Sequence, residues 1–267
     1  MIKFNDVSFT LNDSSIISNV SFQIQKGDFI SIIGSNGAGK STLLKLCNGL
    51  LKPTSGDVLV FDKNTKKEKT SSFAKHIGFL FQNPDRQICC NTIKEEISFS
   101  MEKINLPKEE IQKRTEETLR NSDFNPDEDP FNLSRGQRQR LCLSCLITLS
   151  PDILILDEPT TGLDYKECME LMNKIKDLNN KGTTVIMVCH DMEIVLDFAK
   201  KVLVMNSGKM IAQGETRKIL SDTSILEQAR LLPPQIVQTS MELGKEFNEV
   251  FTVSEMISKI KTLRSTK

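Results

Sequence analysis

The sequence has 267 residues and lacks three features that would each point to a particular class of protein. It contains no apolar run approaching the ~18 residues of a membrane-spanning helix, so we do not expect the chain itself to cross a bilayer. Its 35 basic and 35 acidic side chains leave no net charge, which argues against a nucleic-acid binder with a broad basic surface. Strand-like sequence begins at once without a signal-peptide pattern, and this predicts a cytosolic location.

Histidine is also scarce, with two residues, whereas cysteine occurs seven times in helical and strand-like segments. An odd number of scattered cysteines is typical of reduced thiols in a cytosol. Cys142 and Cys145 have a zinc-like spacing, but no second pair or nearby histidine completes a site. We therefore expect both to face the core from one side of a helix. Adjacent Cys89 and Cys90 are a candidate redox pair.

One stretch fits the phosphate-binding loop pattern G-x-x-x-x-G-K-[ST]. Its residues are Gly34, Ser35, Asn36, Gly37, Ala38, Gly39, Lys40, Ser41 and Thr42. The glycines allow a tight turn whose N–H groups point at an anion, while Lys40 is suited to the β- and γ-phosphates and Ser41 to Mg²⁺. A buried strand at 29–33 precedes the loop, and Leu43, Cys47 and Leu50 mark one face of a helix after it. A chance glycine-rich turn is the alternative, which the motifs downstream exclude.

Polar side chains follow three further predicted strands. Gln82 ends the strand at 77–81 and is suited to coordinate Mg²⁺ or position water, although a glutamine can also simply cap a strand. Asp157 and Glu158 follow an apolar strand at 153–156, where an acidic pair is costly unless it binds metal or does chemistry. Asp157 is expected to hold Mg²⁺ through water and Glu158 to polarise the attacking water. His190 follows a strand at 183–188, at the edge where open α/β sheets bind ligands.

A second polar group opens a helix that we expect to run to about Leu149. Its residues are Leu133, Ser134, Arg135, Gly136 and Gln137. Ser134 is a good N-cap, which accounts for it structurally. Ser134 and Gly136 also leave hydroxyl and N–H donors off the helix end, suited to a γ-phosphate. Asp164 closes a tight loop just before the next helix.

In order and spacing, these motifs resemble those of an ABC-type ATPase from residue 1 to about residue 215. The resemblance implies an α/β P-loop NTPase with a RecA-like core sheet, an antiparallel β subdomain, a helical signature subdomain at about 88–150 and a small C-terminal helical appendage. The nucleotide-binding domain is then 1–215, and 216–267 is a C-terminal dimerisation segment. In that family two subunits sandwich two ATP molecules with Mg²⁺. Each site pairs one subunit's phosphate loop with Ser134, Arg135, Gly136 and Gln137 of the other, and Asp164 lies in the D-loop.

Two details resemble the ATPase of energy-coupling factor transporters, which energise cobalt, nickel and vitamin uptake. One is Phe81-Gln-Asn-Pro-Asp-Arg-Gln87, and the other is Thr92-Ile-Lys-Glu-Glu-Ile-Ser-Phe99 followed by Leu106-Pro107. The segment at 231–235 is similar to the family's dimerisation region. The resemblance implies a homodimer or heterodimer at the cytoplasmic face of the membrane, with no nucleic acid. Its partners would be an integral membrane coupling subunit and a substrate-binding membrane subunit. We expect Ile93, Ile97 and Phe99 to insert against the coupling helices.

The sequence departs from the family pattern at three positions. Arg135 replaces the usual first glycine of the signature, Leu11 stands where an aromatic residue stacks on adenine, and Cys189 replaces a frequent threonine. Two other classes of protein are alternatives to an ATPase that drives a membrane transporter. A soluble ABC ATPase acting on nucleic acid or ribosomes tends to carry tandem cassettes or coiled-coil insertions, which this chain lacks. A P-loop kinase would lack the segment 133–137.

Overall fold

The computed structural model describes residues 1–265 and consists of two β-sheets with helices packed around them. The strands of this part of the chain are β1 (Ile2–Leu11), β2 (Ser14–Ile24), β3 (Phe29–Gly34), β4 (Ser55–Val60), β5 (Lys63–Asn64), β6 (Ile77–Leu80), β7 (Ile153–Asp157), β8 (Thr184–Val188), β9 (Lys201–Asn206) and β10 (Lys209–Glu215). The helices are α1 (Lys40–Cys47), α2 (Ile93–Lys103), α3 (Lys108–Arg120), α4 (Arg135–Thr148), α5 (Tyr165–Asn180), α6 (Met192–Phe198), α7 (Thr216–Leu220), α8 (Thr223–Ala229), α9 (Gln235–Glu242) and α10 (Val253–Ser265). Short 3₁₀ turns lie at Thr70–Ser72, Pro84–Arg86, Pro130–Asn132 and Lys245–Phe247. The α/β architecture with an antiparallel and a helical subdomain is confirmed.

The larger sheet has six strands in the order β10–β9–β3–β8–β7–β6. Neighbouring strands from β9 to β6 are parallel, and β10 is antiparallel to β9. Strands β3, β7 and β8 are buried at every position, as expected for parallel strands covered on both faces. Because parallel strands end at the same edge, the segments after β3, β8, β7 and β6 follow one another along that edge.

Alternating side chains of these strands build two cores on opposite faces of the sheet. Ile30 and Ile32 of β3 pack with α1 and the smaller sheet, whereas Phe29 and Ile33 pack with α4, α5 and α6. The smaller sheet has the order β2–β1–β4–β5 and is antiparallel throughout. Its N–H at Ser18 donates to the Gly208 carbonyl in the turn between β9 and β10, at 2.8 Å. This contact joins the two sheets beside the phosphate loop.

Helix α1 is shorter than its sequence pattern predicts. Leu43 and Cys47 are buried on its inner face, as expected. Gly49, however, has a left-handed φ of +73°, so the chain leaves the helical path just after Cys47. Leu50 lies beyond the helix and is 47% exposed, so its predicted place on the helix face is wrong.

The helical subdomain has a small core of its own between α2, α3 and α4. This cluster contains Ile93, Ile97, Leu133, Leu141 and Cys145, with Leu119 and Phe124 packed against it. Ile93 and Ile97 are fully buried there, so the prediction that they insert into a membrane partner is wrong. Their 3.6-residue spacing marks the inner face of α2, and only Phe99 of the predicted trio is partly exposed.

Both cysteines of α4 are buried, as expected. Cys142 packs in the core beneath the large sheet and Cys145 in the helical-subdomain cluster. Helix α4 therefore lies between two cores and connects the subdomain to the sheet. Among the described residues, no helix combines the length and the apolar character needed to cross a membrane.

The C-terminal segment predicted at 216–267 has two parts, and its residues 266 and 267 lie outside the described residues. Helices α7 and α8 place Ile219, Leu220, Leu226 and Ala229 in the core beneath the large sheet. Beyond them, α10 is connected back to α7 by the pair of Arg217 Nη1 and Glu255 Oε1, 3.1 Å apart. Five apolar side chains of this outer part are exposed: Leu232, Leu243, Val253, Ile257 and Ile260.

Candidate functional site

The predicted phosphate loop connects β3 to α1, and other segments of the chain pack closely against two of its glycines. A Cβ on Gly34 would lie 2.1 Å from the Met205 carbonyl oxygen, and one on Gly39 would lie 2.7 Å from Ile17 Cδ1. Both glycines also have positive φ, of +149° and +94°, which larger residues rarely adopt. Glycine is therefore required at both positions, because a side chain would clash with the neighbouring chain and because the turn needs a positive φ. Residues Asn36 and Gly37 remain exposed at the mouth of the loop.

Lys40 begins α1, and its ammonium group lies over the loop. Its Nζ donates to the carbonyl oxygens of Gly34 at 2.8 Å and Ser35 at 2.9 Å. Burial lowers the pKa of Lys40, while Glu158 and Asp157 nearby favour its charged form and offset part of that effect. The result is a buried cation held by neutral oxygens, where phosphate oxygens would be far stronger partners. Thr42 lies half-buried in the same first turn.

Ser41 and Asp157 meet across the sheet edge. The Ser41 hydroxyl donates to Asp157 Oδ1 at 3.1 Å. Asp157 is buried at the end of β7, and burial raises its pKa, with Glu158 adding to the rise and Ser41 and the lysines 40 and 45 opposing it. A hydroxyl and a buried carboxylate beside a phosphate loop are the hard oxygen donors that Mg²⁺ prefers. These residues therefore fit the predicted ion.

Glu158, at the end of β7, brings the ends of two neighbouring strands together with its own. Its Oε2 accepts from Gln82 Nε2 at 2.8 Å and from the Thr161 hydroxyl at 3.2 Å, and its Oε1 lies 2.7 Å from His190 Nε2. Strands β6, β7 and β8 are neighbours in the sheet, which explains why Gln82, Glu158 and His190 converge. Glu158 has a left-handed φ of +52°, an uncommon conformation that reverses the strand alternation after Asp157.

The signature residues form a second cluster at the start of α4. Ser134 caps the helix: its Oγ accepts from the Gln137 N–H at 3.2 Å, and its own N–H donates to Gln137 Oε1 at 2.8 Å. This confirms Ser134 as the N-cap. A Cβ on Gly136 would lie 3.1 Å from Leu163 Cδ2, so a small residue is favoured there.

The loop before α5 packs against this cluster. Gly162 lies under the Arg135 side chain, whose Cδ, Nε and Cζ are 3.7–4.0 Å from the position of a Cβ on that glycine. Asp164 caps α5, since its Oδ1 accepts from the Glu167 N–H at 2.8 Å. Arg135 thus lies beside Gly162, in the loop that contains Asp164, within one chain. Among residues 1–265, no hydrogen bond or ion pair joins the segment 134–137 to the phosphate loop.

Sequence reasoning missed two sets of supporting residues. Thr161 holds Glu158, and Arg138 of α4 pairs with Asp85 in the loop after Gln82, with 2.8 Å between Nε and Oδ1. The sequence did contain a signal for this ion pair. Asp85 is an acidic residue within the motif at 81–87, and Arg138 is a basic residue in the helix that follows the signature. The pair connects Gln82's loop to the signature helix.

Two of the family departures have clear locations. Leu11 ends β1 and is 54% exposed, whereas Cys189 is buried next to His190 with its Sγ 3.6 Å from the Asp191 carbonyl oxygen. Burial raises the pKa of the Cys189 thiol to about 11, so it is a neutral core side chain. Cys189 therefore belongs to the core beneath the large sheet.

Comparison with known proteins gives a consistent family assignment. The family model described as ABC transporter matches residues 17–161. The chain is 41% identical over 97% of its length to a putative ABC transporter ATP-binding protein of Caldanaerobacter subterraneus subsp. tengcongensis, but covers only 45% of that relative. It spans less than half the length of the next two curated relatives as well. With the energy-coupling factor transporter ATP-binding protein EcfA of Methanocaldococcus jannaschii it shares 37% identity, over 93% of this chain and 91% of the relative.

Solved structures show the same fold. The cbiO1 protein of Clostridium perfringens, described as part of the ABC transporter complex cbiONQ, aligns with a TM-score of 0.75 and 31% identity, covering 90% of this chain and 98% of that one. The cassette MJ0796, solved as a dimer in a post-hydrolysis state with ADP and Pi, aligns with a TM-score of 0.73 and 29% identity, covering 81% of this chain and 99% of that one.

Proposed function

The chain belongs to the ABC transporter family of ATPases, and we propose that it is the ATP-binding and hydrolysing subunit of an uptake transporter of the energy-coupling factor type. Its similarity to EcfA and to cbiO1 along nearly their whole lengths supports this proposal. The transported solute would be a vitamin or a transition-metal ion, imported through partner membrane subunits. The subunit would act at the cytoplasmic face of the membrane, bound through those partners.

The observation that carries the proposal is the position of Glu158. Its carboxylate lies at the sheet edge beside the phosphate loop and contacts Gln82 and His190. A carboxylate held there can take a proton from a water attacking the γ-phosphate. His190 Nε2 would hold Glu158 Oε1 in place, and Gln82 would turn its amide towards the nucleotide when the site fills. Glu158 is thus the catalytic base, with Gln82 and His190 positioned to serve it.

The phosphate loop would bind the nucleotide itself. The N–H groups of the turn and Lys40 Nζ would bind the β- and γ-phosphates, replacing the two carbonyl contacts that Lys40 makes here. Ser41 Oγ and Asp157, directly or through water, together with the Gln82 amide oxygen, would hold Mg²⁺. When bound, the ion neutralises phosphate charge as the terminal P–O bond breaks.

We propose that ATP is bound between two chains. Among residues 1–265, no hydrogen bond or ion pair joins Ser134, Arg135, Gly136 or Gln137 to the phosphate loop, although their helix end is suited to an anion. Two copies, or this chain and a related cassette, would each supply the signature to the other's ATP. The dimeric form of MJ0796 supports such an assembly. Arg135 would act on this composite site through its contact with the loop of Gly162 and Asp164.

The surface for the membrane partner is proposed on the outer side of α2 and α3. A groove of about 760 Å³ lies between them, with Leu106 and Ile111 as its apolar part and Lys94, Ser98 and Glu102 among its polar lining. Thr115 lines the groove, and its buried hydroxyl has no hydrogen-bond partner among residues 1–265. A groove with a mostly polar and charged lining and an apolar strip at Leu106 and Ile111 is suited to an amphipathic helix from the membrane subunit. Ile93 and Ile97 belong to the buried core of the helical subdomain.

Glu158→Gln tests the catalytic proposal. The amide keeps the shape and the contacts but accepts a proton poorly, so hydrolysis should fall at least ~10²-fold while ATP binding persists. Steady-state phosphate release and equilibrium binding of ATP should be measured on the same preparation. Glu170→Gln, at an exposed position of α5, is the matched control and should keep the wild-type rate.

Normal hydrolysis by Glu158→Gln would remove Glu158 from its role as base. Equal loss of hydrolysis in the Glu170 control would instead indicate general damage.

Purification of the wild-type chain from membranes distinguishes the transporter from the alternative class. Copurification with ribosomes or nucleic acid, and not with an integral membrane protein, would favour a soluble ABC ATPase.

A further inference from the structure

Two cysteines and a glutamate converge on the segment between Gln82 and α2, away from the phosphate loop. One ligand atom from each of Cys89, Cys90 and Glu96 lies within 4.8 Å of the others. Cys89 is exposed and Cys90 half-buried, whereas the chain's other five cysteines are buried. A dissolved ion therefore reaches these two thiols before any other.

Glu96 lies in the first turn of α2 and is only 5% exposed. Its Oε2 accepts from the N–H groups of Cys89 and Cys90, both at 2.9 Å. Among residues 1–265 this carboxylate makes no ion pair. A buried carboxylate with neutral donors alone is poorly compensated, because the charge itself has no counterion.

The two thiols face the same carboxylate. The two sulfur atoms and a carboxylate oxygen of Glu96 all lie within 4.8 Å of one another. Accepting hydrogen bonds from the two N–H groups gives a structural role to one carboxylate oxygen of Glu96. A glutamine, with its neutral amide, could fill this role equally well. This role does not account for two solvent-reachable sulfur donors placed against a buried negative charge.

We propose that Cys89, Cys90 and Glu96 bind a soft divalent cation such as Zn²⁺, through two sulfurs and one carboxylate oxygen, with water completing the shell. Thiolate and carboxylate ligands suit this class of ion. As each metal–sulfur bond forms, the thiol gives its proton to solvent, and nothing is oxidised or reduced. The bound charge compensates Glu96 and ties the chain after Gln82 to α2. This site is independent of the proposed transport function.

The environment of the thiols also bears on their reactivity. Burial and the nearby Glu96 charge raise the pKa of Cys90 to about 12, and they raise that of Cys89 too. At neutral pH the free thiols therefore keep their protons until a cation displaces them. This argues against a pair of reactive thiolates, since the thiolate is the form that reacts. The redox role expected from sequence stays a prediction.

The test uses the full-length protein without nucleotide in a buffer free of thiols and chelators. Calorimetric titration with Zn²⁺ should give one ion per chain, and Cd²⁺ should produce the ultraviolet thiolate-to-metal charge-transfer band. The double variant Cys89→Ser/Cys90→Ser should lose that band. Glu96→Gln should weaken affinity at least ~10-fold, as expected for loss of a ligand. Because glutamine still accepts the two N–H groups, its thermal melting should remain close to wild type.

Two controls separate this site from others. Cys168→Ser changes a buried thiol and Glu109→Gln an exposed carboxylate, and both should bind Cd²⁺ as the wild type does. No band in the wild type, or a band that survives in the double cysteine variant, would overturn the proposal. So would Zn²⁺ binding that is unchanged in the double variant but lost in Asp157→Asn, since the ion would then belong to the phosphate-loop site.

Discussion

Asp157 and Glu158 are adjacent acids with different environments. Asp157 ends β7 and is buried against Ser41, whereas Glu158 turns through a left-handed φ of +52° to contact Gln82 and His190. Such a conformation costs a non-glycine residue about 1 kcal/mol or more. The strain places two consecutive carboxylates on the same side of the strand end. One can then hold a metal while the other accepts a proton.

Asp157→Asn should stabilise the nucleotide-free protein at pH 7. Burial raises the pKa of Asp157, so ionising it at neutral pH opposes folding. Any stabilising contribution from this group is complete below its unfolded pKa and is lost as pH rises through the higher folded pKa. The melting temperature should therefore rise in the variant, by about 2–4 °C for each kcal/mol gained in a chain of this size. Differential scanning calorimetry without nucleotide measures the change.

The difference in melting temperature between Asp157→Asn and the wild type should shrink as the pH is lowered towards 4, because the wild-type carboxyl group then becomes neutral too. Mg-ATP should raise the melting temperature of the wild type more than that of the variant, which lacks the metal ligand. Asp177→Asn, at an exposed position of α5, is the matched control and should melt like the wild type. A lower melting temperature for Asp157→Asn at pH 7 would show that its negative charge already stabilises the folded chain.

At the scale of elements, the sequence was most informative where period and position agree. Apolar runs predicted β3, β7 and β8, and polar residues at their ends predicted the group that meets at one sheet edge. This prediction succeeded because the carboxyl ends of parallel strands lie at one edge of the sheet, whatever the order of the strands within it. Strand order itself, and hence the direct contact of Glu158 with both Gln82 and His190, depends on long-range pairing that no local pattern specifies.

Surface and core could not be distinguished in the helical subdomain from spacing alone. Ile93 and Ile97 show the period of an amphipathic helix, but the pattern does not say which layer their face meets. The structure buries them in a small core with Leu133 and Leu141 and leaves the α2–α3 groove outside. In the same way Leu50 continued the period of α1, although the glycine at 49 ends that helix first.

Ile111→Ser tests the groove between α2 and α3 as the membrane-partner surface. Ile111 is half-buried in the groove and would be fully covered by a docked helix. Losing the burial of such a side chain costs about 1.5–3 kcal/mol, or roughly 10- to 100-fold in affinity. Copurification with the membrane subunit should fall accordingly, while ATP binding by the isolated chain stays unchanged.

Leu50→Ser is the control for this experiment, since Leu50 is an exposed apolar residue that does not line the groove. It should copurify like the wild type. Unchanged copurification of Ile111→Ser would exclude the groove as the main contact. Equal loss in both variants would point to a general effect of removing exposed apolar surface.

At the scale of the molecule, the C-terminal segment divides near Leu231. A chain ending at Leu231 keeps α7 and α8, which bury four side chains in the main core, and removes the exposed apolar residues beyond. It should fold and bind ATP within about 2-fold of the wild type, because no predicted site residue is lost. If the removed part supports dimerisation, the dimer dissociation constant should rise at least ~10-fold, a loss of about 1.4 kcal/mol. Analytical ultracentrifugation measures it.

A chain ending at Glu215 is the contrasting variant for this truncation. It also removes Ile219, Leu220 and Leu226, each worth about 1.5–3 kcal/mol of burial against a total stability of about 5–15 kcal/mol. It should therefore fail to fold as a soluble protein. An unchanged dimer constant for the chain ending at Leu231 would show that the outer part has another role.

The shared active site can be tested by mixing two inactive variants. Lys40→Ala destroys the phosphate loop, and Ser134→Arg blocks the signature, so each pure dimer has two damaged sites. In a mixed dimer the Ser134→Arg chain still offers a good phosphate loop and the Lys40→Ala chain a good signature. Random exchange makes half of the dimers mixed, each with one intact site, so activity should recover to about a quarter of wild type if the sites act independently.

Ser134 is also the N-cap of α4, and its loss costs about 1 kcal/mol of helix stability whatever the site does. Thr92→Arg supplies the control, because Thr92 caps α2 through the same capping box but lies outside the signature. The Thr92→Arg homodimer should keep most of the wild-type hydrolysis, whereas pure Ser134→Arg should have almost none. With exchange shown by differently tagged chains, the absence of any recovery on mixing would require both phosphate contacts to come from one chain. The folded chain gives the opposite expectation, since among the described residues no hydrogen bond or ion pair joins Ser134 to the phosphate loop or Lys40 to the signature.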